Sequence, residues 1–163
     1  MKDSIDAHLA LWSRELPEMD LRVEGIATRL QALGRYLDRE RDAVLAGHGL
    51  QWWGFKTLHM LRRGGAPYQS TPGGLASQLG MSPAAMTNRL DALERLGYVE
   101  RHHDRDDRRK VVATLTAAGL EIWQQALGDI TKVEVDLVNQ LPPTEQDRLT
   151  DLLRALLRST ERS

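Results

Sequence analysis

Two groups of side chains in this chain are typed and spaced for reading a nucleic acid. In the first, Ser82 and a proline open a segment whose outer face shows Ala84, Ala85, Thr87, Asn88 and Asp91, with Arg89 at its flank. Thr and Asn each donate and accept hydrogen bonds, and the Asn carboxamide matches the major-groove edge of adenine. The two alanines keep the start of the segment narrow, so a helix here can approach a groove floor closely. Ser82 and the first-turn N–H groups suit a phosphate. The second group spans residues 104–110, where Arg105, Arg108, Arg109 and Lys110 alternate with Asp104, Asp106 and Asp107. Asp107 can pair with Arg109 and hold the guanidinium extended for a minor groove, while Arg105, Arg108 and Lys110 suit phosphates. A capped surface helix and a solvated loop are the bland alternatives; the placement of the two groups relative to each other argues against them.

The elements that would position these groups follow from the punctuation. Residues 72–80 read as a brief helix with Thr71 as N-cap, Pro72 at N1, and Leu75, Ala76 and Leu79 inward. Ser82-Pro83 repeats that start. The second helix runs to Leu96, with Met86, Leu90, Leu93 and Leu96 as its buried row and Gly97 as its C′ residue. Residues 98–103 and 110–115 alternate as two strands, so the charged stretch becomes a hairpin tip. A helix sized for the major groove beside a basic hairpin is a winged helix-turn-helix.

Helices are also expected at 3–15 (Ile5, Leu9 and Trp12 on one stripe), 21–46, 51–63, 116–140 capped by Thr116, and from a Thr144 cap onward. The last carries Leu149, Leu152, Leu153, Leu156 and Leu157 at helical spacing. The fold class is therefore mainly α with a small β-hairpin wing: a winged helix-turn-helix plus a helical dimerisation layer. The expected partition is 1–46 for N-terminal helices of that layer, 47–116 for the DNA-binding lobe and 117–163 for C-terminal dimerisation helices. The outer helices hold more apolar surface than one small lobe needs, hence the dimerisation reading.

Bulk composition narrows the function. A net charge of -1 excludes a polycation, so any nucleic-acid contact is a localised patch. With no cysteine, disulfides and thiolate zinc sites are excluded. His102-His103-Asp104 is a poor metal site, because adjacent strand residues face opposite ways. No metal, cofactor or catalytic residue is expected: the chain shows no nucleophile elbow, P-loop, dinucleotide glycine pattern or paired His-carboxylate spacing. No apolar run approaches the ~20 residues of a membrane span and the N-terminus lacks a signal pattern. A soluble, cytoplasmic protein with no membrane partner is the expectation.

Residues 75–79 (LASQL), 86–101 (MTNRLDALERLGYVER) and 104–119 (DRDDRRKVVATLTAAG) resemble the MarR family of winged-helix regulators, in helix order over residues 21–160. The resemblance implies a homodimer on a pseudo-palindromic operator in double-stranded DNA, with Asp107 and Arg109 as the wing-tip pair, and release by a small effector. Trp12, residues 65–68 (GAPY) and 85–89 (AMTNR) are similar to the urate-responsive branch with its extra N-terminal helix. Where that branch carries an acid, Lys56 stands here, which reverses the local charge preference.

The resemblance also implies an effector cleft, lined here by Trp12, Trp52, Phe55, Lys56, His59 and Arg89. Aromatic walls and one or two cations suit a flat organic anion; the same tryptophans also serve as plain core or interface anchors. Two readings of the whole chain compete. One is a ligand-responsive DNA-binding transcription regulator, for which the resemblance implies a repressor. The other is a winged-helix protein-interaction module without DNA function, which an apolar wing would have favoured.

Overall fold

The computed structural model describes residues 2–104 and 107–161. Seven helices and three strands occupy the described residues. They divide into two compact units, residues 1–41 and 42–163.

In the first unit, α1 (Ser4–Glu15) starts at a reciprocal cap. The Asp3 carboxylate accepts from the N–H groups of Ile5 and Asp6, and the Asp6 carboxylate accepts from the Asp3 N–H. The Asp3–Asp6 pair then binds α2 (Leu21–Gly47): Arg29 Nε lies 2.8 Å from Asp3 Oδ2, and an Arg29 terminal nitrogen 2.8 Å from Asp6 Oδ1. Gly25 makes the close approach possible, since a Cβ there would come 3.1 Å from Leu9 Cδ1 and 3.0 Å from the Arg29 guanidinium. The outward residues Leu21, Val23, Ile26, Leu30 and Leu33 of α2 are exposed.

The hydrogen bond from Arg29 holds the Asp3 carboxyl at about 2, against an ordinary value of 3.8. A carboxylate depressed in the folded state contributes stability above pH 3.8 that disappears as the pH falls through about 2. Asp3 is therefore expected to stay ionised at pH 3, and Arg29→Gln should return its midpoint toward 3.8. Carboxyl-carbon NMR titration reads this directly; an unshifted Asp3 in the wild type would show that the ion pair does not form in solution.

The second unit contains the end of α2, α3 (Trp52–Arg63), β1 (Gln69–Ser70), α4 (Pro72–Gln78), α5 (Pro83–Arg95), β2 (Val99–His103), β3 (Val111–Leu115), α6 (Ala117–Val138) and α7 (Pro143–Thr160). Its core joins Leu58 and Leu61 of α3 to Leu75 and Ala76 of α4, Met86, Leu90 and Leu93 of α5, Val99, Ala113 and Leu115 of the sheet, and Trp123, Ala126 and Ile130 of α6. Leucine and alanine dominate, as expected of a chain with one Phe. Burying one such leucine contributes roughly 1.5–3 kcal/mol.

The sheet has three antiparallel strands in the order β1-β3-β2, not the two expected. β1 is a two-residue strand whose Gln69 and Ser70 face Thr114 and Ala113 of β3. It follows a cis Ala66–Pro67 bond and Tyr68, whose φ of 60° is left-handed. Arg62 stacks over the Tyr68 ring at 4.5 Å and the Leu115 N–H donates to the Tyr68 carbonyl, which holds this uncommon backbone in place.

Three local expectations are corrected. Leu96 is 52% exposed, not buried: it is the C-cap of α5, one residue before the left-handed Gly97, and so leaves the stripe of Met86, Leu90 and Leu93. α7 is capped by Pro142 and not by Thr144, with no side-chain cap bond. Pro143 disfavours helical backbone at the residue before it and needs no N–H at N1, which fixes the boundary there. Asp91 does not lie open on the outer face of α5, as the next subsection describes.

Candidate nucleic-acid interface

Two matched caps set up the helix-turn-helix. Thr71 Oγ1 accepts from the Gly74 N–H at 3.1 Å, and Ser82 Oγ accepts from the Ala85 N–H at 3.2 Å; each is followed by proline. Gly80, with φ of 61°, makes the turn between α4 and α5. Because Ser82 already uses the Ala85 N–H and Pro83 has none, the first turn of α5 offers an anion fewer donors than its sequence implied.

With Met86, Leu90 and Leu93 buried, α5 turns Ala84, Thr87 and Asn88 outward, while Ala85 is half-buried. Thr87 donates its hydroxyl to the Pro83 carbonyl at 3.1 Å. Its donor capacity is therefore used within the helix, and only the acceptor lone pairs of the hydroxyl remain. Asn88 is exposed and has no side-chain partner among the described residues, so both its donor and its acceptor are available. Arg89 is half-buried with its guanidinium 5.8 Å from the Trp53 ring centre. That contact orients it along the flank of α5.

The wing is held to α5 by one guanidinium. Arg101 of β2 lies 2.6 Å from Asp91 Oδ1 and 2.5 Å from Glu94 Oε2, and its backbone N–H donates to Glu94 Oε1 at 3.0 Å. The hydrogen bond from Arg101 lowers the Glu94 pKa, and the same bond raises that of Arg101. Spacing alone puts Arg101 in a strand and Asp91 on the outer face of α5, and the folded structure joins them. The signal was available in acids at i and i+3 on α5 with a basic residue at the third position of the next strand.

The described part of the hairpin tip is closed by its own backbone. The Asp104 N–H donates to the Lys110 carbonyl at 2.9 Å and the Lys110 N–H to the Asp107 carbonyl at 2.8 Å. Asp107 Oδ1 accepts from the Arg109 N–H at 3.1 Å, and Arg109 Nε approaches the same oxygen at 3.4 Å. The Arg109 side chain is 95% exposed. An exposed pair at that length contributes little energy, so the backbone bond does most of the ordering. Arg108 and Lys110 are exposed beside it. Arg105 lies outside the described residues. His102 and His103 are exposed on β2.

The candidate effector residues of the second unit form an aromatic row on α3. Trp52 stacks on Phe55 with ring centres 5.7 Å apart, Phe55 on His59 at 6.2 Å, and His59 meets Trp123 of α6 at 5.9 Å. Phe55 is 5% exposed and belongs to the core, whereas Trp52 is open and carries Lys56 Nζ 5.7 Å from its ring centre. His59 Nδ1 and Trp123 Nε1 are buried without partners. Trp12 belongs to the first unit, where His8 meets its ring edge-on at 6.0 Å. Among the described residues, no helix is long and apolar enough to cross a membrane.

Comparison with known proteins agrees with this geometry. Residues 51–111 match the family described as MarR. The HTH-type transcriptional regulator PecS of Dickeya dadantii (strain 3937) is 31% identical over 142 residues, which is 87% of this chain and 86% of PecS. YusO protein from Bacillus subtilis has the same fold, with a TM-score of 0.77 at 21% identity, covering 86% of this chain and 98% of YusO. A cysteine-to-serine mutant of MarR from E. coli, complexed with operator DNA, superposes with a TM-score of 0.61 at 25% identity, covering 90% of this chain and 98% of that one. A helix-turn-helix with a three-stranded wing, matched along nearly its whole length, makes this chain a member of the MarR family.

Proposed function

We propose that this MarR-family transcription regulator is a sequence-specific repressor: two copies sit on a pseudo-palindromic operator in double-stranded DNA, and a small anionic effector releases them. The observation that carries the reading is the pairing of an open Asn88 on α5 with an almost fully exposed Arg109 in the hairpin tip. One suits a base edge in the major groove and the other a narrow minor groove. Ser82, Ala84, Ala85, Thr87 and Arg89 complete the helix contact, and Arg105, Arg108 and Lys110 the phosphate contacts. The net charge of -1 fits a patch of this kind, not a coating of nucleic acid.

The homodimer reading rests on α7. None of its residues is buried, and Leu149, Leu152, Leu153, Leu156 and Leu157 are all exposed. A helix of this length has little stability by itself, so an apolar face of this size calls for a cover. Residues 1–46 and 117–163 would form the dimer layer around a DNA-binding lobe at 47–116. For the effector, the ammonium of Lys56 beside Trp52 suits an anion with an aromatic body. A protein-interaction module without DNA function fits less well, because the wing tip presents cations and not apolar side chains.

A gel-shift with the DNA upstream of the chain's own gene tests the reading; no retardation at low salt would overturn it. Asn88→Ala should then cost about 1–3 kcal/mol at one base pair and leave other positions unaffected. A uniform loss across sequences would make Asn88 a phosphate contact. Arg109→Ala should flatten the preference for A·T pairs flanking the half-sites, read by footprinting on a randomised flank.

A further inference from the structure

Arg89 sits half-buried on the flank of α5 with no acid to hold it. Among the described residues it makes neither an ion pair nor a hydrogen bond; its contact is the Trp53 ring of α3, with the guanidinium carbon 5.8 Å from the ring centre. Trp53 is itself fixed. Its indole N–H donates to the Gln51 side-chain oxygen at 2.5 Å, and its carbonyl accepts from the buried Thr57 hydroxyl at 2.8 Å. Gln51 is the N-cap residue of α3, so the indole is tied back to the start of its own helix. The ring packs against the edge of the core. The next residue, Gly54, faces α5, where an added Cβ would stand 3.6 Å from Leu93 Cδ2, so α3 and α5 are in contact at this level. Trp52, about 100° round the helix, meets Phe55 and Lys56 instead.

A ring and a carboxylate restrain an arginine differently. The Arg101 guanidinium is engaged by Asp91 and Glu94 and is committed to the fold. A ring face holds a guanidinium without neutralising it and without an acceptor oxygen. The full charge of Arg89 and its N–H donors therefore stay available to an external anion. Helical side chains tilt toward the helix N-terminus, which sets this guanidinium level with the first turns of α5, where Ala84 and Ala85 keep the helix narrow. What a duplex offers at the flank of a helix in its major groove is a phosphate. A free arginine loses rotamer freedom on making that contact, and a stacked one has already lost much of it. We propose that Trp53, tied by Gln51, is a positioning residue that presents the Arg89 guanidinium to a DNA phosphate at the edge of the major groove. This role rests on the DNA-binding reading above.

The test has a readout with DNA and one without. In the free protein the indole ring current should shift the Arg89 Nε–H resonance, and Trp53→Leu should return it to the range of the exposed arginines. Operator binding is then followed by anisotropy of labelled DNA over a series of salt concentrations. Arg89→Gln should weaken it about tenfold and lower the slope of log K against log salt by about one. Trp53→Leu should weaken it about two- to fivefold, as loss of a half-exposed cation–π contact does. Trp53→Phe, which keeps a ring, should stay within about twofold of wild type. Gln51→Ala, at an exposed position, should reproduce part of the Trp53→Leu loss without opening the core. In the Arg89→Gln background neither Trp53→Leu nor Gln51→Ala should weaken DNA further, because the residue they act through is gone.

Three results overturn the proposal. Trp53→Leu that weakens DNA equally with and without Arg89 would make Trp53 a structural residue only. Trp53→Leu that tightens DNA would make the ring a restraint holding Arg89 away from it. An unchanged salt slope in Arg89→Gln would take Arg89 off the phosphates. If Trp53→Leu loses helical signal, the cycle of Gln51→Ala with Arg89→Gln decides in its place. A wild type that retains no DNA at low salt fails together with the DNA-binding reading; a wild type that binds no better than Trp53→Leu and Gln51→Ala fails here alone.

Discussion

Gly119→Ala is expected to destabilise the protein by about 3 kcal/mol, because an added Cβ meets its neighbours more closely here than at any other described glycine. A Cβ at this position would come 2.0 Å from the Tyr98 carbonyl oxygen, 2.8 Å from its carbon and 2.9 Å from Leu115 Cδ1. Two of those atoms are backbone, so no rotamer change relieves the clash. The same place holds a dense set of bonds. Thr116 Oγ1 accepts from the Gly119 N–H at 3.0 Å and donates to the Gly97 carbonyl at 2.7 Å, while the Thr116 N–H donates to the Tyr98 carbonyl at 3.1 Å. Pushing α6 off Tyr98 strains or breaks this cap, itself a contribution of about 1 kcal/mol. Alanine's better helix propensity returns at most ~1 kcal/mol, so the clash wins. Urea unfolding at fixed protein concentration measures the difference, with a melting point lower by roughly 6–12 °C. Gly128 provides the contrast: nothing lies within 4 Å of a Cβ there, so Gly128→Ala should stabilise by about 0.5–1 kcal/mol. A Gly119→Ala protein as stable as wild type would mean that α6 does not lie against Tyr98.

The second large effect concerns assembly. Leu153→Glu with Leu157→Glu places two charges on the open stripe of α7 without touching the core, since both leucines are exposed in the single chain. The double variant should keep its helical signal and fall from twice 18.4 kDa to 18.4 kDa by light scattering. Operator affinity should fall about 100-fold or more, because the second half-site contact becomes bimolecular. A wild-type chain that is already monomeric at micromolar concentration, or a double variant that still dimerises, would remove α7 from the interface. Loss of dimer with unchanged DNA affinity would leave the interface and overturn the two-copy operator complex.

The sequence made local features readable and tertiary ones opaque. Thr71, Ser82 and Thr116 each declared a helix start, because a cap is satisfied by N–H groups within three residues of it. The buried row of Met86, Leu90 and Leu93 was equally plain, since helical spacing alone fixes it. Leu96 broke the rule because the stripe ends where the helix does. β1 carried no periodic signal: a two-residue strand exists only because β3 is there to pair with it. Asp91 read as an outward residue of α5, and only the placement of Arg101 on the neighbouring strand turned it into a structural contact. The spacing places Ala84, Thr87 and Asn88 together on the outer face of α5, whereas Thr87's internal bond to Pro83 and the use of the Ala85 N–H by Ser82 come only with the folded geometry.

Arg101 has a practical corollary for anyone redesigning operator choice. Swapping only the exposed face of α5 for that of another regulator, while also exchanging Asp91 and Glu94, would leave a guanidinium with no acids to bind and the hairpin hanging at a new angle. The transferable cassette is therefore 83–115 taken whole, helix and hairpin together, and chimeras cut between residues 95 and 101 should inherit the specificity of neither parent.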